Sequence, residues 1–358
     1  MGIKSNFNLF LKSTCPEVFE TINISEFSFK KIAIDTSLYL HKFKAIYGDK
    51  WLYFLINFIV TLRSNEIHCV FIFDGKSPVE KINEQLQRKT NRDKQELKLF
   101  ELENEVNIYH TTGEIGKEIL KIHNKLSQTT EECNKRLLSK KRKFNIKIVE
   151  NYIVKKKKQS FRIDKQDYTI IKEILTTLNI PFFVAPWEAE KMCAKLCKDN
   201  LVDAVLSEDT DVLAYGCPIF LSKINTREGT CIKINYQKLI DCLNLNKQEF
   251  LDFCILCGTD YNKNIPRVGS KTAYRHIINN RSIENIQQNT KLDTSCLNKD
   301  VVRQLFTKFE NYKIKSISFC GIPDIQLFNT TMLKYNIINN KHFLKKLSTN
   351  EMVVIEDD

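Results

Sequence analysis

No run of this 358-residue chain is apolar for long enough to cross a bilayer. The most apolar stretch, Trp51 to Val60, is broken by Asn57 and falls short of the roughly 20 residues a spanning helix needs. The charged start and apolar run of a secretory leader are missing too, so no export signal is expected. Met1-Gly2 begins like a myristoylation site, but Asn6 stands where Ser or Thr is required. The chain has 12 cysteines scattered through apolar runs, and without a secretory context they read as reduced thiols. Cys254 and Cys257 form a CxxC, yet no second pair stands at zinc spacing, so FCILCG reads as core packing. There is no internal repeat. Glycine and proline are almost missing between Lys81 and Ser160, a charged stretch that reads as mostly helical.

What is present is a globular composition with a basic surplus. Hydrophobic residues make up 42 %, which excludes a mainly disordered chain. Lys and Arg number 55 against 43 Asp and Glu, a formal net charge of +12. That surplus points toward a polyanionic partner, although a solvated basic surface would give the same sum. The length allows one large or two modest domains.

The first third reads as α/β. Lys30 to Leu40 holds a short apolar run ending in Asp35. A helical segment follows from Trp51 to Leu62, then the continuous run His68 to Phe73, which ends in Asp74-Gly75. Two buried strands around a helix indicate a parallel sheet, and the C-terminal edge of such a sheet is where sites form. In the charged stretch, Ile115, Ile119, Ile122 and Leu126 fall on one helical stripe, and Lys155 to Lys158 form a basic run. That insertion reads either as a solvated arm or as one facing a substrate. The α/β pattern resumes with a helix over Tyr168 to Leu178, a strand over Ile180 to Val184, a turn at Ala185-Pro186-Trp187 and a helix over Glu188 to Lys198. A strand at Ala204 to Leu206 and a helix over Phe250 to Cys257 follow, then Gly258-Thr259-Asp260. The expected divisions are 1–98, 99–163 for the helical insertion, 164–262, 263–335, and a tail over 336–358.

Seven carboxylates stand out, most of them at a strand end or just after a turn, in otherwise apolar or small-residue surroundings: Asp35, Asp74, Glu188, Glu190, Asp209, Asp211 and Asp260. Carboxylates brought together repel, and each is driven toward protonation unless a cation neutralises them. Oxygen-only ligands suit the hard ions Mg²⁺ or Mn²⁺. The competing reading is separate surface acids and helix caps. Five segments sharing one pattern weigh against it. An acidic pocket in a basic protein admits phosphates only through metals, and two ions ~4 Å apart would clamp a scissile phosphate and activate a water. That points to phosphodiester hydrolysis.

From Met1-Gly2-Ile3-Lys4 to about Phe309, the chain resembles the flap endonuclease/XPG-type (Rad2-like) family of structure-specific 5′ nucleases. The motifs that carry the resemblance are IAIDTSLYLHKF, FIFDGKSP, IPFFVAPWEAEKMCAKL, LSEDTDVLAYG and FCILCGTDYNKNIPRVGSKTA. It implies a PIN-like 5′-nuclease fold: a central, mostly parallel sheet flanked by helices, a helical arch and a C-terminal helix–two-turn–helix that grips DNA. It implies two Mg²⁺ per chain, replaceable by Mn²⁺. Asp35, Asp74, Glu188 and Glu190 would serve one; Asp209, Asp211 and Asp260 would serve the other. Lys81 and Arg88, seven residues apart, would be catalytic and reach the scissile phosphate. His41 would stack on DNA, and Gly2 would lie near the site. Gly269, Lys271 and Arg275 would bind the duplex backbone beside a K⁺ ion. Arg267 stands where the family has Gly, which strains the loop if that position needs φ > 0. The insertion is longer than a compact arch, and no sliding-clamp peptide is found.

The implied function is a metal-dependent flap endonuclease, 5′→3′ exonuclease, or both, acting on branched or nicked DNA in replication, repair or recombination. Alternatives are a non-catalytic nucleic-acid-binding factor on the same fold, or a nuclease for four-way junctions or RNA. A monomer is expected, in the nucleus (the host's, if the chain is viral) or otherwise the cytoplasm.

Overall fold

The computed structural model describes residues 2–133, 144–159, 162–309, 314–337 and 341–348. The acidic tail beyond residue 348 and the side chain of Lys158 lie outside the described residues. The chain divides into two compact units. One contains residues 1–41, 53–82 and 164–358; the other contains 42–52 and 83–163.

The first unit is built on a seven-stranded sheet. Its strands are β1 (Glu20–Asn23), β2 (Lys31–Asp35), β3 (His68–Phe73), β4 (Phe182–Val184), β5 (Ala204–Leu206), β6 (Ile219–Asn225) and β7 (Thr230–Asn235), in the spatial order β1-β7-β6-β5-β2-β3-β4. Five of them run parallel, as expected, and β3 is buried at all six positions. A strand buried on both faces needs apolar side chains at every position, which is why His68 to Phe73 does not alternate. The sheet is mixed because β7 runs antiparallel to both β6 and β1. The sequence reading placed no strands at β1, β6 or β7. Ser222 and Lys223 interrupt the apolar run of β6, and its register against β7 shifts between Ser222 and Asn225.

Helices cover the sheet and extend it toward the C-terminus: α1 (Phe7–Thr14), α2 (Thr36–Tyr47), α3 (Trp51–Arg63), and, after the insertion, α7 (Lys165–Thr177), α8 (Ala189–Lys198), the short α9 (Asp211–Ala214), α10 (Tyr236–Cys242), α11 (Lys247–Cys257), α12 (Ser270–Asn280), α13 (Ile283–Asn289), α14 (Lys299–Thr307), α15 (Ile325–Lys334) and α16 (Lys341–Ser348). One core runs from the sheet into α11–α14, joining Val70, Val205, Phe253, Ile277 and Phe306. Cys254 and Cys257 lie wholly inside it, and burial pushes both thiols up. One pair departs from the reading of reduced thiols: Cys15, after α1, forms a disulfide with Cys242 at the end of α10, Cα to Cα 6.2 Å.

The second unit holds α4 (Ile82–Thr112, continuing from the first unit), α5 (Lys117–Cys133) and α6 (Ile146–Gln159). Leu102, Val106, Ile119, Val149 and Ile153 form its core. The expected stripe holds at Ile119 and partly at Ile122, while Ile115 precedes α5 and is exposed. The expected boundary at 98/99 falls inside α4, where neither glycine nor proline offers a break.

Candidate metal centre

Parallel register brings the acids to one edge. Asp35 pairs with Ile72, and Ile34 with both Phe71 and Leu206. The ends of β2, β3 and β5 therefore lie side by side, and each is followed by acids. Asp35 ends β2, Asp74 follows β3, and Asp209 and Asp211 follow β5. The Asp74-Gly75 turn is locked to the turn before α8: Gly75 N–H donates to the Trp187 carbonyl at 2.7 Å, and Lys76 N–H to that of Pro186 at 3.1 Å. A Cβ on Gly75 would stand 1.9 Å from the Ala185 carbonyl oxygen, so only glycine permits this approach. The same contact sets Asp74 at the start of α8, where its Oδ1 accepts from Ala189 N–H at 2.8 Å. Glu188 is the N-cap of that helix and Glu190 lies in its first turn.

The β5 loop is folded by its own side chains. Ser207 Oγ donates to Asp35 Oδ2 at 3.2 Å and accepts from Asp209 N–H at 3.1 Å; Asp209 Oδ1 accepts from Asp211 N–H at 2.9 Å. Asp260 stands in a turn clamped by Asn262, whose Oδ1 accepts from Thr259 N–H at 3.0 Å and Thr259 Oγ1 at 2.6 Å.

The electrostatics are those of a site short of positive charge. Burial first, then the neighbouring Asp74 carboxylate, push Asp35 up to about 8. Burial and Glu188 raise Glu190; burial and Asp209 raise Asp211; burial also raises Asp209. Asp211 is 1 % exposed, and neither of its oxygens has a hydrogen-bond partner among the described residues. An orphaned buried carboxylate within an all-oxygen donor set fits a hard divalent cation. Among the described residues, no three of the seven carboxylates bring one oxygen each within 4.8 Å of one another, so they are spread around a space rather than gathered on one point. Cys15, Glu17 and Cys242 do meet that distance, but the two sulfurs are bonded to each other.

Lys81 supplies a cation here. It sits in the turn just before α4 and pairs with Glu188 Oε1, and with Asp260 Oδ2 at 3.2 Å. Burial opposes its charge, but Glu190, Glu188 and Asp260 outweigh burial and raise its pKa. Arg88 belongs to the second unit, where it pairs with Glu84 at 3.1 Å. His41 is exposed on α2. Gly2 has φ +86°, and a Cβ there would meet Asp209 Oδ1 at 2.1 Å; Ile3 N–H donates to Thr210 Oγ1 at 3.0 Å. The N-terminal segment therefore rests on the Asp209–Asp211 loop. Gly269 is the N-cap of α12, with Lys271 and Arg275 exposed one turn apart on that helix. Arg267 takes φ +64°, the left-handed conformation that makes a non-glycine residue strained.

The sequence reading missed two tyrosines. Tyr261 donates its hydroxyl to Glu188 Oε2, and the Tyr215 and Tyr261 hydroxyls lie 2.9 Å apart. Burial, together with the nearby carboxylates, raises both phenols, so they remain protonated donors. Tyr215 ends an apolar run and looks like core, while Tyr261 stands among polar turn residues; only the folded neighbours of the hydroxyl mark either one.

Similarity to known proteins follows the same residues. The XPG N-terminal domain model matches residues 1–95 and the XPG I-region model matches residues 179–260. The Probable RAD2-like endonuclease 369L of Invertebrate iridescent virus 6 is 34 % identical, with 94 % of this chain and 89 % of that protein covered. Flap endonuclease 1 of Enterocytozoon bieneusi is 31 % identical over 80 % of this chain and 72 % of its own length. Among solved structures, the catalytic core of Rad2 in complex with DNA substrate has the same fold, with a TM-score of 0.65 at 15 % identity, over 97 % of this chain and 99 % of that one.

Proposed function

The chain belongs to the RAD2-like endonuclease family, and we propose that it is a metal-dependent, structure-specific 5′ nuclease that hydrolyses DNA phosphodiesters at flapped, branched or nicked duplexes. Phosphodiester hydrolysis, DNA as partner and dependence on a divalent metal go with the family. The finer reading assigns two ions, Mg²⁺ or Mn²⁺. The observation that carries it is the convergence of the seven acidic residues on one region, with the Asp211 carboxylate buried and without a hydrogen-bond partner among the described residues.

Asp35, Asp74, Glu188 and Glu190 would hold one ion, and Asp209, Asp211 and Asp260 the other. When bound, such ions neutralise the acids, polarise a phosphodiester and activate water. The chain's own residues do the rest. Lys81, now shared between Glu188 and Asp260, holds a positive charge at the acid edge, where it can donate to a phosphate oxygen as negative charge develops. Arg88 would add a second such donor and His41 a stacking ring. The start of α12, with Gly269, Lys271 and Arg275, offers backbone N–H groups and cations to the phosphate backbone, contacts that carry no base sequence. K⁺ at this loop rests on the resemblance. So do the monomeric state and a role in replication, repair or recombination; the nuclear location rests on the basic run Lys155 to Lys158.

Asp209→Ala should abolish cleavage of a 5′-flap duplex with Mg²⁺ while binding stays within a few-fold. Wild-type protein that cuts no flap, nick or 5′ end with Mg²⁺ or Mn²⁺ would refute the reading. Parallel assays on flap, gapped, four-way-junction and RNA–DNA substrates decide the preferred structure.

A further inference from the structure

Two buried phenols join three of the segments that carry the edge carboxylates. Tyr261 follows Asp260 directly, and its hydroxyl donates to Glu188 Oε2. The hydroxyl of Tyr215 lies 2.9 Å from that of Tyr261. Tyr215 stands one helical turn after Asp211, and its N–H donates to the Asp211 carbonyl at 2.9 Å. The chain of bonds thus runs from the start of α8, through the Asp260 turn, to α9. Both rings are buried, Tyr215 at 2 % and Tyr261 at 7 % exposure, so no solvent replaces a lost bond. Phe306 of α14 packs on both, at centroid distances of 4.7 Å and 5.4 Å. Glu188 is held at both ends, with Oε1 taken by Lys81 and Oε2 by Tyr261.

We propose that Tyr261, backed by Tyr215, is a positioning residue that fixes the orientation of Glu188 and sets its separation from the Asp211 and Asp260 carboxylates. The proposal rests on the nuclease reading and deepens it. Hydrogen bonds that orient ligands from behind are worth one or two orders of magnitude in metal affinity. A phenol that only filled space would give none of this, since phenylalanine fills the same volume.

The test is titration of Mn²⁺ into the full chain by calorimetry. Tyr261→Phe is expected to weaken Mn²⁺ binding about tenfold, with flap-DNA binding in EDTA unchanged. Tyr215→Phe should weaken it less. The double variant should be no worse than Tyr261→Phe alone, because Tyr215 acts only through Tyr261. Mn²⁺ affinity within twofold of wild type in Tyr261→Phe, or losses that multiply in the double variant, would overturn the proposal. If Tyr261→Phe does not fold, Tyr215→Phe carries the test, and an unchanged Mn²⁺ affinity there overturns it. Wild-type protein that binds Mn²⁺ and cuts flaps, beside an indifferent Tyr261→Phe, refutes the tyrosine proposal alone. Wild-type protein that does neither refutes the nuclease reading and this proposal with it.

Discussion

Arg303→Met should cost the protein about 3 kcal/mol of stability, because it strands a buried charge. Asp252 lies inside α11 with no exposure. Arg303 of α14 grips both its oxygens, Nε at 2.8 Å and Nη2 at 2.6 Å, and also holds Glu284 of α13 at 2.7 Å. One guanidinium therefore ties three helices. Methionine keeps much of the apolar stem of Arg303 and removes only the fork. Asp252 would be left with Ile283 N–H at 3.3 Å and Gln248 Nε2 at 3.1 Å. Breaking a buried pair from one side costs about 3–5 kcal/mol, and these two donors place the loss at the lower end. For a chain of this size each kcal/mol shifts Tm by about 1–2 °C, so a fall of about 3–6 °C is expected. Scanning calorimetry and urea denaturation measure it. The double variant Asp252→Leu with Arg303→Met removes both charges and should recover most of the loss. A single-variant cost below about 1 kcal/mol, or a double variant no better than the single, would refute the reasoning.

Lys81→Ala and Arg88→Ala should lower the single-turnover cleavage rate by at least tenfold while changing flap affinity by less than threefold, on the order of what one transition-state donor supplies; equal losses of rate and affinity would make them ordinary phosphate contacts. Stability should fall in mild acid through His68. Burial, then the cations of Arg63 and Lys31, bring its folded pKa down to about 4 from 6.5. The folded pKa is the lower one, so the contribution is complete above pH 6.5 and is lost as pH falls toward 4, about 2–3 kcal/mol in all. His68→Asn should flatten that part of the stability–pH curve, and an unchanged curve would sink the assignment. Glu284, held below the usual carboxylate range by hydrogen bonds from Arg303, acts in the same direction at lower pH. Its stability is present above the ordinary carboxylate pKa and lost as pH falls through the folded one.

The acid edge was legible because two independent signals coincide there. Central strands are buried on both faces, so they read as unbroken apolar runs, and each run stops at an acid. Asp35, Asp74 and Asp209 could be placed at one edge from that alone. The strain at Arg267 was likewise legible from a residue type at a turn, and its φ of +64° matches. Other features depend on contacts that no local pattern records. The strand β1 is four residues long and takes its partner from β7, two hundred residues away. The segment around Ile317 to Gly321 carries little pattern of its own. It is held because Lys31 Nζ donates to the Ile317 carbonyl at 2.5 Å, Arg63 Nη2 to that of Gly321 at 3.2 Å, and Cys320 N–H to His68 Nδ1 at 3.1 Å. Tyr215 and Tyr261 are 46 residues apart and become a pair only when α9 meets the end of α11.

The net charge of +12 hides a division of labour that composition alone could not show. Setting aside the seven edge carboxylates, the sequence suggests that the rest of the chain carries +19. Most of the surplus is concentrated. Residues 83–163 contain 20 Lys and Arg against 11 Asp and Glu, so under a quarter of the chain holds three quarters of the net charge. The remainder is close to balanced, and its densest buried charge is the acid edge. A phosphate approaching that edge meets repulsion unless cations stand in it, so the edge adds little to affinity on its own. On the proposed nuclease reading, attraction would come from residues elsewhere, above all the basic region 83–163 and the Lys271–Arg275 face of α12. On that reading affinity for DNA and its hydrolysis would depend on different side chains, which is the physical reason Asp209→Ala is expected to stop cutting without releasing the substrate.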